Sequence, residues 1–310
     1  MCRLLVEAGD GVRALVRPGS DYEPLVALGV EAFEGDVQSL EDLVQGANGC
    51  DAIIHSAAVL GGAAQRMDES VATNAAGSEH AYDAARRHGI RVVALSSTPF
   101  LDHRSSLRED PPVLPREQWS DDPYTQTKGA AYVEAKRRVA EDGDDIVIVV
   151  PGGTFGPGVV LSGAMRSTSY NRVVRGALNG KVADHISFPV PWVFAEDVAS
   201  VCIAAAAKGS IGRTYLAFGA EDAKSTAAFL NVALEVAGSD RRVSEVRIDG
   251  DDPDAVARYG ETLVDLAQRE YPVPWFDNTA TREELGYSPR PLRDAVMATV
   301  EWLRANGQVS

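Results

Sequence analysis

Cysteine, basic charge and long apolar runs are all scarce in this 310-residue sequence. Its three cysteines (Cys2, Cys50 and Cys202) are far apart and odd in number, which predicts no disulfide framework and a reduced, cytoplasmic compartment. No apolar run is long enough to span a membrane, and the first residues lack the apolar segment of a secretory signal. The five histidines show no metal-ligand spacing, so no metal site is predicted.

Positive charge is in the minority. Thirty Lys and Arg residues face 45 Asp and Glu residues, giving a formal net charge of −15. Nucleic acids and anionic membranes require a basic surface, so neither is expected as a partner. A small-molecule substrate is the expected partner.

Short β-branched runs alternate with helical patterns through the first two-thirds of the chain. Continuous apolar strands separated by helices indicate a parallel sheet that is covered on both faces. We therefore predict an α/β fold with a doubly wound, Rossmann-like parallel sheet, whose ligands bind beyond the carboxyl ends of the strands. The strand-like runs are GVRALVR (11–17), GVEAFEG (29–35), CDAIIHSAA (50–58), IRVVALSS (90–97) and DIVIVVPGG (145–153).

The pattern changes after about Gly158, where helices and proline-bearing loops dominate. We predict a first domain over residues 1–158, to which residues 191–208 return. Residues 159–190 and 209–310 are predicted to form a smaller, mostly helical substrate-side region.

Tyr124 precedes Lys128 by four residues at the start of a helical pattern. This spacing puts both side chains on one face of a helix. A lysine there favours the phenolate and lowers the tyrosine pKa from about 10, which would make the pair a tuned acid/base group. Taken alone, the stretch fits two ordinary residues on a helix surface at least as well.

Other small and polar residues fall where the predicted strands end. Ser96 and Ser97 close the run at 90–97, and Ser56, Ala57 and Ala58 close the run at 50–58. Carboxyl ends of parallel strands share one edge of a sheet, which is also where the helix of Tyr124 begins. Together these features favour a ligand site at that edge.

In this order and spacing, the motifs resemble the extended short-chain dehydrogenase/reductases, the NAD-dependent epimerase/dehydratase family. The resemblance covers nearly the whole chain. It rests on GVRALVR, EGDV, HSAA, NAAGSEHAYDAARRHGIRVVALSS, YTQTK, VPGGTFGPG, VFAEDVA and LGYSPRPL.

The resemblance implies roles for four residues. Tyr124 would be the acid/base, and Lys128 would bind the nicotinamide ribose and lower the tyrosine pKa. Ser97 would orient the substrate carbonyl or hydroxyl. Asn74 would be the family's structural and proton-relay asparagine, although an asparagine in a helix can also simply bond to neighbouring backbone.

For the cofactor, Arg17 ends a strand at the position where an acidic residue would favour NAD. An arginine there accommodates the 2′-phosphate of NADP, so NADP is expected in preference to NAD. Asp36 and Val37 match the family's adenine-contacting pair. Ser56, Ala57 and Ala58 would let a flat ligand approach the backbone, and Pro151 opens the loop expected beside the nicotinamide.

The family's first strand and glycine-rich turn are absent from the printed start. We expect roughly 20 residues upstream, enough for one strand and one turn, with a shortened protein as the alternative. The absent strand would lie at the centre of the sheet, and its neighbours would lose backbone partners.

Thr98 and Pro99 follow Ser97 where dehydratases carry an acidic pair, so a dehydratase is not expected. The motifs look closest to the dihydroflavonol-reductase-like branch, which implies hydride transfer between nicotinamide and a small carbonyl or secondary alcohol. A sugar-nucleotide 4-epimerase and a non-catalytic NADP(H)-binding module remain alternatives. Family resemblance also implies a homodimer, built from the helices at 68–88 and about 123–140. Four aromatic residues could line the substrate site or belong to the core: Phe188, Trp192, Trp275 and Phe276.

Overall fold

The computed structural model describes residues 1–61, 66–248, 250 and 252–309. In its first half, strands and helices alternate as the hydrophobic pattern predicts. The elements are α1 (Cys2–Ala8), β1 (Arg13–Val16), α2 (Glu23–Val26), β2 (Glu31–Glu34), α3 (Leu40–Ala47), β3 (Ala52–His55), α4 (Met67–Ser70), a π-helical segment (Val71–Ala76), α5 (Gly77–His88), β4 (Arg91–Leu95), α6 (Pro123–Arg137) and β5 (Ile146–Pro151).

The second half has shorter strands and more helices. Its elements are β6 (Gly153–Phe155), α7 (Leu161–Ala164), α8 (Tyr170–Leu178), β7 (Asp184–Ile186), β8 (Pro189–Val190), β9 (Trp192–Phe194), α9 (Ala195–Lys208), β10 (Thr214–Ala217), β11 (Lys224–Ser225), α10 (Thr226–Val236), β12 (Ser244–Val246), α11 (Pro253–Tyr259), α12 (Glu261–Gln268), α13 (Thr279–Leu285) and α14 (Leu292–Ala305).

A four-stranded parallel sheet in the order β10-β5-β4-β3 forms the centre of the molecule. Alternate residues of its central strands enter different cores. Ile146 and Ile148 pack with Tyr82 and Tyr132 on the side of α5 and α6, whereas the odd-numbered valines of β5 pack with α9 on the other side. Because both faces are covered, β5 is apolar throughout (IVIVVP), and the predicted doubly wound fold class is confirmed.

The first two strands form a sheet of their own. β1 and β2 pair in parallel, with Arg13 opposite Glu31 and Val16 opposite Glu34. Within the described residues, β1 pairs only with β2, and β3 pairs only with β4. Thus β1 and β3 each have one edge without a strand partner among the described residues.

One strand of the central sheet comes from late in the sequence. β10 lies within residues 209–310, the range predicted for the substrate side, and pairs with β5, with Tyr215 opposite Val149. The sequence could not reveal this because strand pairing is non-local. The returning segment 191–208 supplies β9, which pairs with β6, and α9, which covers the sheet. The division into two domains stays a prediction.

The aromatic residues considered for a substrate site are buried. Trp192 stacks on Phe229 with ring centroids 3.9 Å apart, and Phe155 meets the same ring edge-on at 4.8 Å. Phe188 belongs to the same core, while Trp275 and Phe276 lie in the core beside α6. No helix of the described residues is both long and apolar enough to cross a membrane.

Candidate active site

The start of α6 brings the Tyr124–Lys128 pair to the carboxyl edge of the sheet. Asp122 caps the helix by accepting a hydrogen bond from the backbone N–H of Thr125 at 3.0 Å, and Pro123 occupies the first helical position. Both features are typical helix-start signals. They fix Tyr124 and Lys128 one turn apart, beside the end of β4.

Lys128 is buried, with 4% of its surface exposed. Its Nζ donates to the carbonyl of Leu95 at 2.7 Å, which ties the helix to the last residue of β4. Burial disfavours the ammonium form and lowers the pKa of Lys128 to about 8. The charge nevertheless persists at neutral pH.

Burial raises the pKa of Tyr124, and the negative charge of Asp122 raises it further. A hydrogen bond from the Ser97 side chain works in the opposite direction. We expected Lys128 to lower the pKa of Tyr124, whereas in the structure burial raises it. Ser97 and Tyr124 are therefore neighbours, and the catalytic roles of both stay predictions. The neighbouring Ser96 is buried, and its Oγ has no hydrogen-bond partner within the described residues.

Asn74 is fully buried in the π-helical segment. Its Oδ1 accepts from the N–H of Val59 at 2.7 Å, and its Nδ2 donates to the carbonyl of the same residue at 3.1 Å and to Thr127 Oγ1 at 3.0 Å. The Asn74 backbone carbonyl accepts from Ser78 Oγ at 2.6 Å. The contacts of the side chain are structural, so its proton-relay role stays a prediction.

Sequence reasoning missed His55, the last residue of β3. Its Nε2 lies 3.2 Å from Ser78 Oγ. Since Ser78 gives its only hydroxyl proton to Asn74, the imidazole must carry its proton on Nε2. Burial and the nearby Lys128 lower the pKa of His55 to about 3, so the ring is neutral. The signal for His55 that the sequence offered was a polar residue at the end of an apolar strand.

Two further residues near the pair were missed. Thr127 lies between Tyr124 and Lys128 on α6, and its hydroxyl meets Asn74. Tyr170, the first residue of α8, lies close enough to Tyr124 to be affected by it electrostatically. Burial, with this smaller contribution, raises the pKa of Tyr170 to about 12. Tyr170 also packs edge-on against Trp192 at 4.8 Å.

The residues predicted to contact the adenosine half lie after β1 and β2. Arg17 is exposed directly after β1. Asp36 donates its backbone N–H to Asp42 at 2.9 Å and accepts from the N–H of Gln38 at 3.0 Å. The Val37 carbonyl lies 3.0 Å from His80 Nδ1.

Close packing in this part of the molecule depends on a small residue at position 77. A Cβ on Gly77 would come within 3.1 Å of the Val37 side chain, so a larger residue would require that side chain to shift. Ser56, Ala57 and Ala58 follow β3, and Pro151 ends β5. The predicted residues thus share the carboxyl edges of the two sheets. No group of three metal-binding side chains occurs in the described part of the chain.

Solved structures with the same fold extend over the whole chain. A nucleoside-diphosphate-sugar epimerase from Pseudomonas aeruginosa is similar with a TM-score of 0.79 and 20% identity, covering 100% of this chain and 94% of that one. A dTDP-glucose 4,6-dehydratase from Streptomyces venezuelae with NAD bound has a TM-score of 0.75 and 21% identity, covering 100% and 94%. These likenesses show the Rossmann fold of epimerases and dehydratases.

Curated relatives include several oxidoreductases. Sterol demethylase protein B of Methylococcus capsulatus is 26% identical over 100% of this chain and 95% of its own length. The 2-alkyl-3-oxoalkanoate reductase of Stenotrophomonas maltophilia is 30% identical over 51% of this chain and 48% of its own length. A putative dihydroflavonol 4-reductase of Synechocystis is 31% identical over 51% and 46%. The model of the NAD dependent epimerase/dehydratase family matches residues 1–217, and the chain belongs to this family.

Proposed function

We propose that the protein is a nicotinamide-dependent oxidoreductase that interconverts a small carbonyl compound and a secondary alcohol. One observation carries the proposal: Tyr124 lies one helical turn before the buried Lys128, whose Nζ donates to the carbonyl of Leu95 at 2.7 Å and so holds this turn of α6 at the end of β4, two residues before Ser97. A phenol, a hydroxyl and an ammonium group at the carboxyl edge of a parallel sheet can together bind and protonate a carbonyl oxygen. Similarity to a 2-alkyl-3-oxoalkanoate reductase and a dihydroflavonol 4-reductase supports this reaction class.

The residues at the site fit a nicotinamide cofactor. Lys128 can donate three hydrogen bonds, and within the described residues only the one to Leu95 is made. The remaining N–H groups suit ribose hydroxyls, and the alanines after β3 leave room for a flat ring system. The cofactor supplies the hydride chemistry, and the protein supplies position and charge.

Each side chain has a distinct task in a carbonyl reduction. Ser97 donates to the substrate oxygen and orients it. Tyr124 gives its phenolic proton to that oxygen as negative charge develops. Lys128 stabilises the phenolate that remains and holds the ribose. Asn74 keeps the surrounding backbone in place, and its proton-relay role stays a prediction.

We further propose that NADP is preferred over NAD, because Arg17 ends β1 where it can pair with a 2′-phosphate. The Arg17 guanidinium lies near Glu69. The pKa of this carboxyl is lowered mainly by Arg66 and further by the charge of Arg17. We propose that Asp36 and Val37 contact the adenine. Ser56, Ala57 and Ala58, directly after β3, are proposed to lie against the cofactor, and Pro151 is proposed to lie beside the nicotinamide.

The first experiment is a fluorescence titration with NADPH and with NADH. We expect NADPH to bind at least tenfold more tightly, and Arg17→Glu to remove that difference, because a carboxylate repels the 2′-phosphate. NADPH oxidation would then be tested on a panel of ketones with Tyr124→Phe as the matched variant. Turnover that survives in Tyr124→Phe would contradict the proposed acid/base role.

Two alternatives are kept open by specific observations. The fold shared with a nucleoside-diphosphate-sugar epimerase supports a sugar-nucleotide 4-epimerase as the first alternative, and conversion of a UDP-sugar without net cofactor oxidation would favour it. A non-catalytic NADP(H)-binding module would bind NADPH but show no turnover that depends on Tyr124. The intact Ser97, Tyr124 and Lys128 favour the enzyme.

We also propose that two copies of the chain form a homodimer through the helices of Tyr124 and Asn74. Val71 and Val133 leave 47% and 48% of their surfaces exposed on these adjacent helices. A second copy would cover them.

A further inference from the structure

Thr127 links the backbone after β3 to the helix that carries the proposed catalytic pair. The link begins at Val59, whose N–H and C=O both bond to the Asn74 side chain, at 2.7 and 3.1 Å. It continues from Asn74 Nδ2 to Thr127 Oγ1 at 3.0 Å. Asn74 and Thr127 are 0% and 3% exposed. Water therefore does not compete for these hydrogen bonds.

The hydroxyl of Thr127 is used as both donor and acceptor. It donates to the carbonyl of Pro123 at 2.6 Å, so its single proton points along α6. Its lone pair accepts from Asn74. Loss of this hydroxyl would leave a buried amide proton of Asn74 unpaired, and an unpaired buried group costs more than an average hydrogen bond contributes.

We propose that Thr127 is a positioning residue that holds the segment 56–61 and the first turn of α6 at a fixed separation. The segment contains the residues proposed to face the cofactor, and the turn contains Tyr124 and Lys128. The functional consequence of the inference rests on the proposed function. Its structural part, the coupling of the two segments, does not.

A valine at position 127 tests the inference because it keeps the branched shape and removes only the hydroxyl. We expect Thr127→Val to accelerate amide hydrogen exchange in segment 56–61 by about tenfold and to weaken NADPH binding by a similar factor. Thr127→Ser restores the hydroxyl, and we expect it to return both quantities to within about twofold of wild type. Exchange is followed by mass spectrometry on the whole protein, and binding by NADPH fluorescence.

Thr299→Val is the matched control. Thr299 is fully buried and donates to the carbonyl four residues earlier, Ala295, at 2.8 Å, but it lies in α14. We expect this variant to lose stability without changing exchange in segment 56–61 or NADPH affinity.

Two results would overturn the inference: wild-type exchange in Thr127→Val, or equal acceleration in Thr299→Val. Failure of the wild type to bind NADPH or NADH would instead overturn the proposed function. The exchange data would still decide whether Thr127 couples the two segments.

Discussion

At the residue scale, burial moves the ionisable side chains of the site toward their neutral forms. It raises the pKa of Tyr124, and it lowers the pKa of Lys128 to about 8 and that of His55 to about 3. Low polarity disfavours charge whatever its sign. At neutral pH the phenol is thus protonated and ready to donate, which suits carbonyl reduction better than alcohol oxidation.

The neutral His55 predicts a dependence of stability on pH. The native state keeps the imidazole unprotonated down to about pH 3, whereas the unfolded chain binds a proton below the ordinary pKa of 6.5. The free energy of unfolding should therefore fall as the pH drops from 6.5, by ~2 kcal/mol for this group at pH 5. Urea unfolding at several pH values measures the slope.

His55→Gln should flatten that slope, because glutamine binds no proton in either state. His103 is buried as well, with a pKa lowered to about 4 by burial and by Arg269, so His103→Gln should have a similar effect. Only the slopes are compared, since both substitutions also change stability at neutral pH. A wild-type slope in His55→Gln would contradict the assignment.

At the element scale, the start of α6 combines a structural and an electrostatic effect in one residue. Asp122 caps the helix through Thr125 and also raises the pKa of Tyr124. The two effects separate on substitution, because asparagine is as good a cap as aspartate but carries no charge.

We therefore expect Asp122→Asn to lower the pKa of Tyr124 with little change in stability, and Asp122→Ala to lower the free energy of unfolding by about 1 kcal/mol. Phenolate absorbance in the near ultraviolet gives the Tyr124 midpoint, as the difference from the same protein carrying Tyr124→Phe. Thermal unfolding gives the stability. An unchanged midpoint in Asp122→Asn would show that the charge has no influence on the phenol.

Local patterns predicted the elements of the site better than their connections. Alternation of apolar strands and helical segments predicted the start of α6 and the positions of β3, β4 and β5, although the runs at 50–58, 90–97 and 145–153 extend beyond the strand ends at His55, Leu95 and Pro151. These features depend on residues close in the sequence. The π-helical segment around Asn74 was not predicted, since its backbone register depends on packing against α6. Thr127 and His55 were missed for the same reason: their partners lie 53 and 23 residues away.

At the scale of the whole molecule, the sheet order could not be read from the sequence alone. β10 lies 63 residues or more after the end of β5 yet pairs with it, and β1 and β2 form a separate sheet. The carboxyl edges of both sheets nevertheless carry the residues proposed for the cofactor. We therefore propose that residues as far apart in the sequence as Arg17 and Pro151 contact the same ligand.

Dimer formation is also a property of the whole molecule. If Val71 and Val133 lie in a dimer interface, a charge there should dissociate it, because an unpaired carboxylate in a buried interface is costly. We expect Val133→Glu to be a monomer by sedimentation velocity at concentrations where the wild type is a dimer. Val26→Glu is the control, since Val26 is similarly exposed, at 50%, but lies in α2. Equal sedimentation of wild type and Val133→Glu would contradict the interface.

The amide of Asn74 meets Val59 much as a neighbouring strand would. The side-chain amide accepts a hydrogen bond from the N–H of Val59 and donates one to the carbonyl of the same residue, as two hydrogen-bonded residues of neighbouring antiparallel strands do. One side chain in the helix layer therefore supplies a single rung of strand-like hydrogen bonds to Val59, four residues beyond His55, where β3 ends. Aspartate at this position would supply acceptors but no donor, so it could complete only half of the rung.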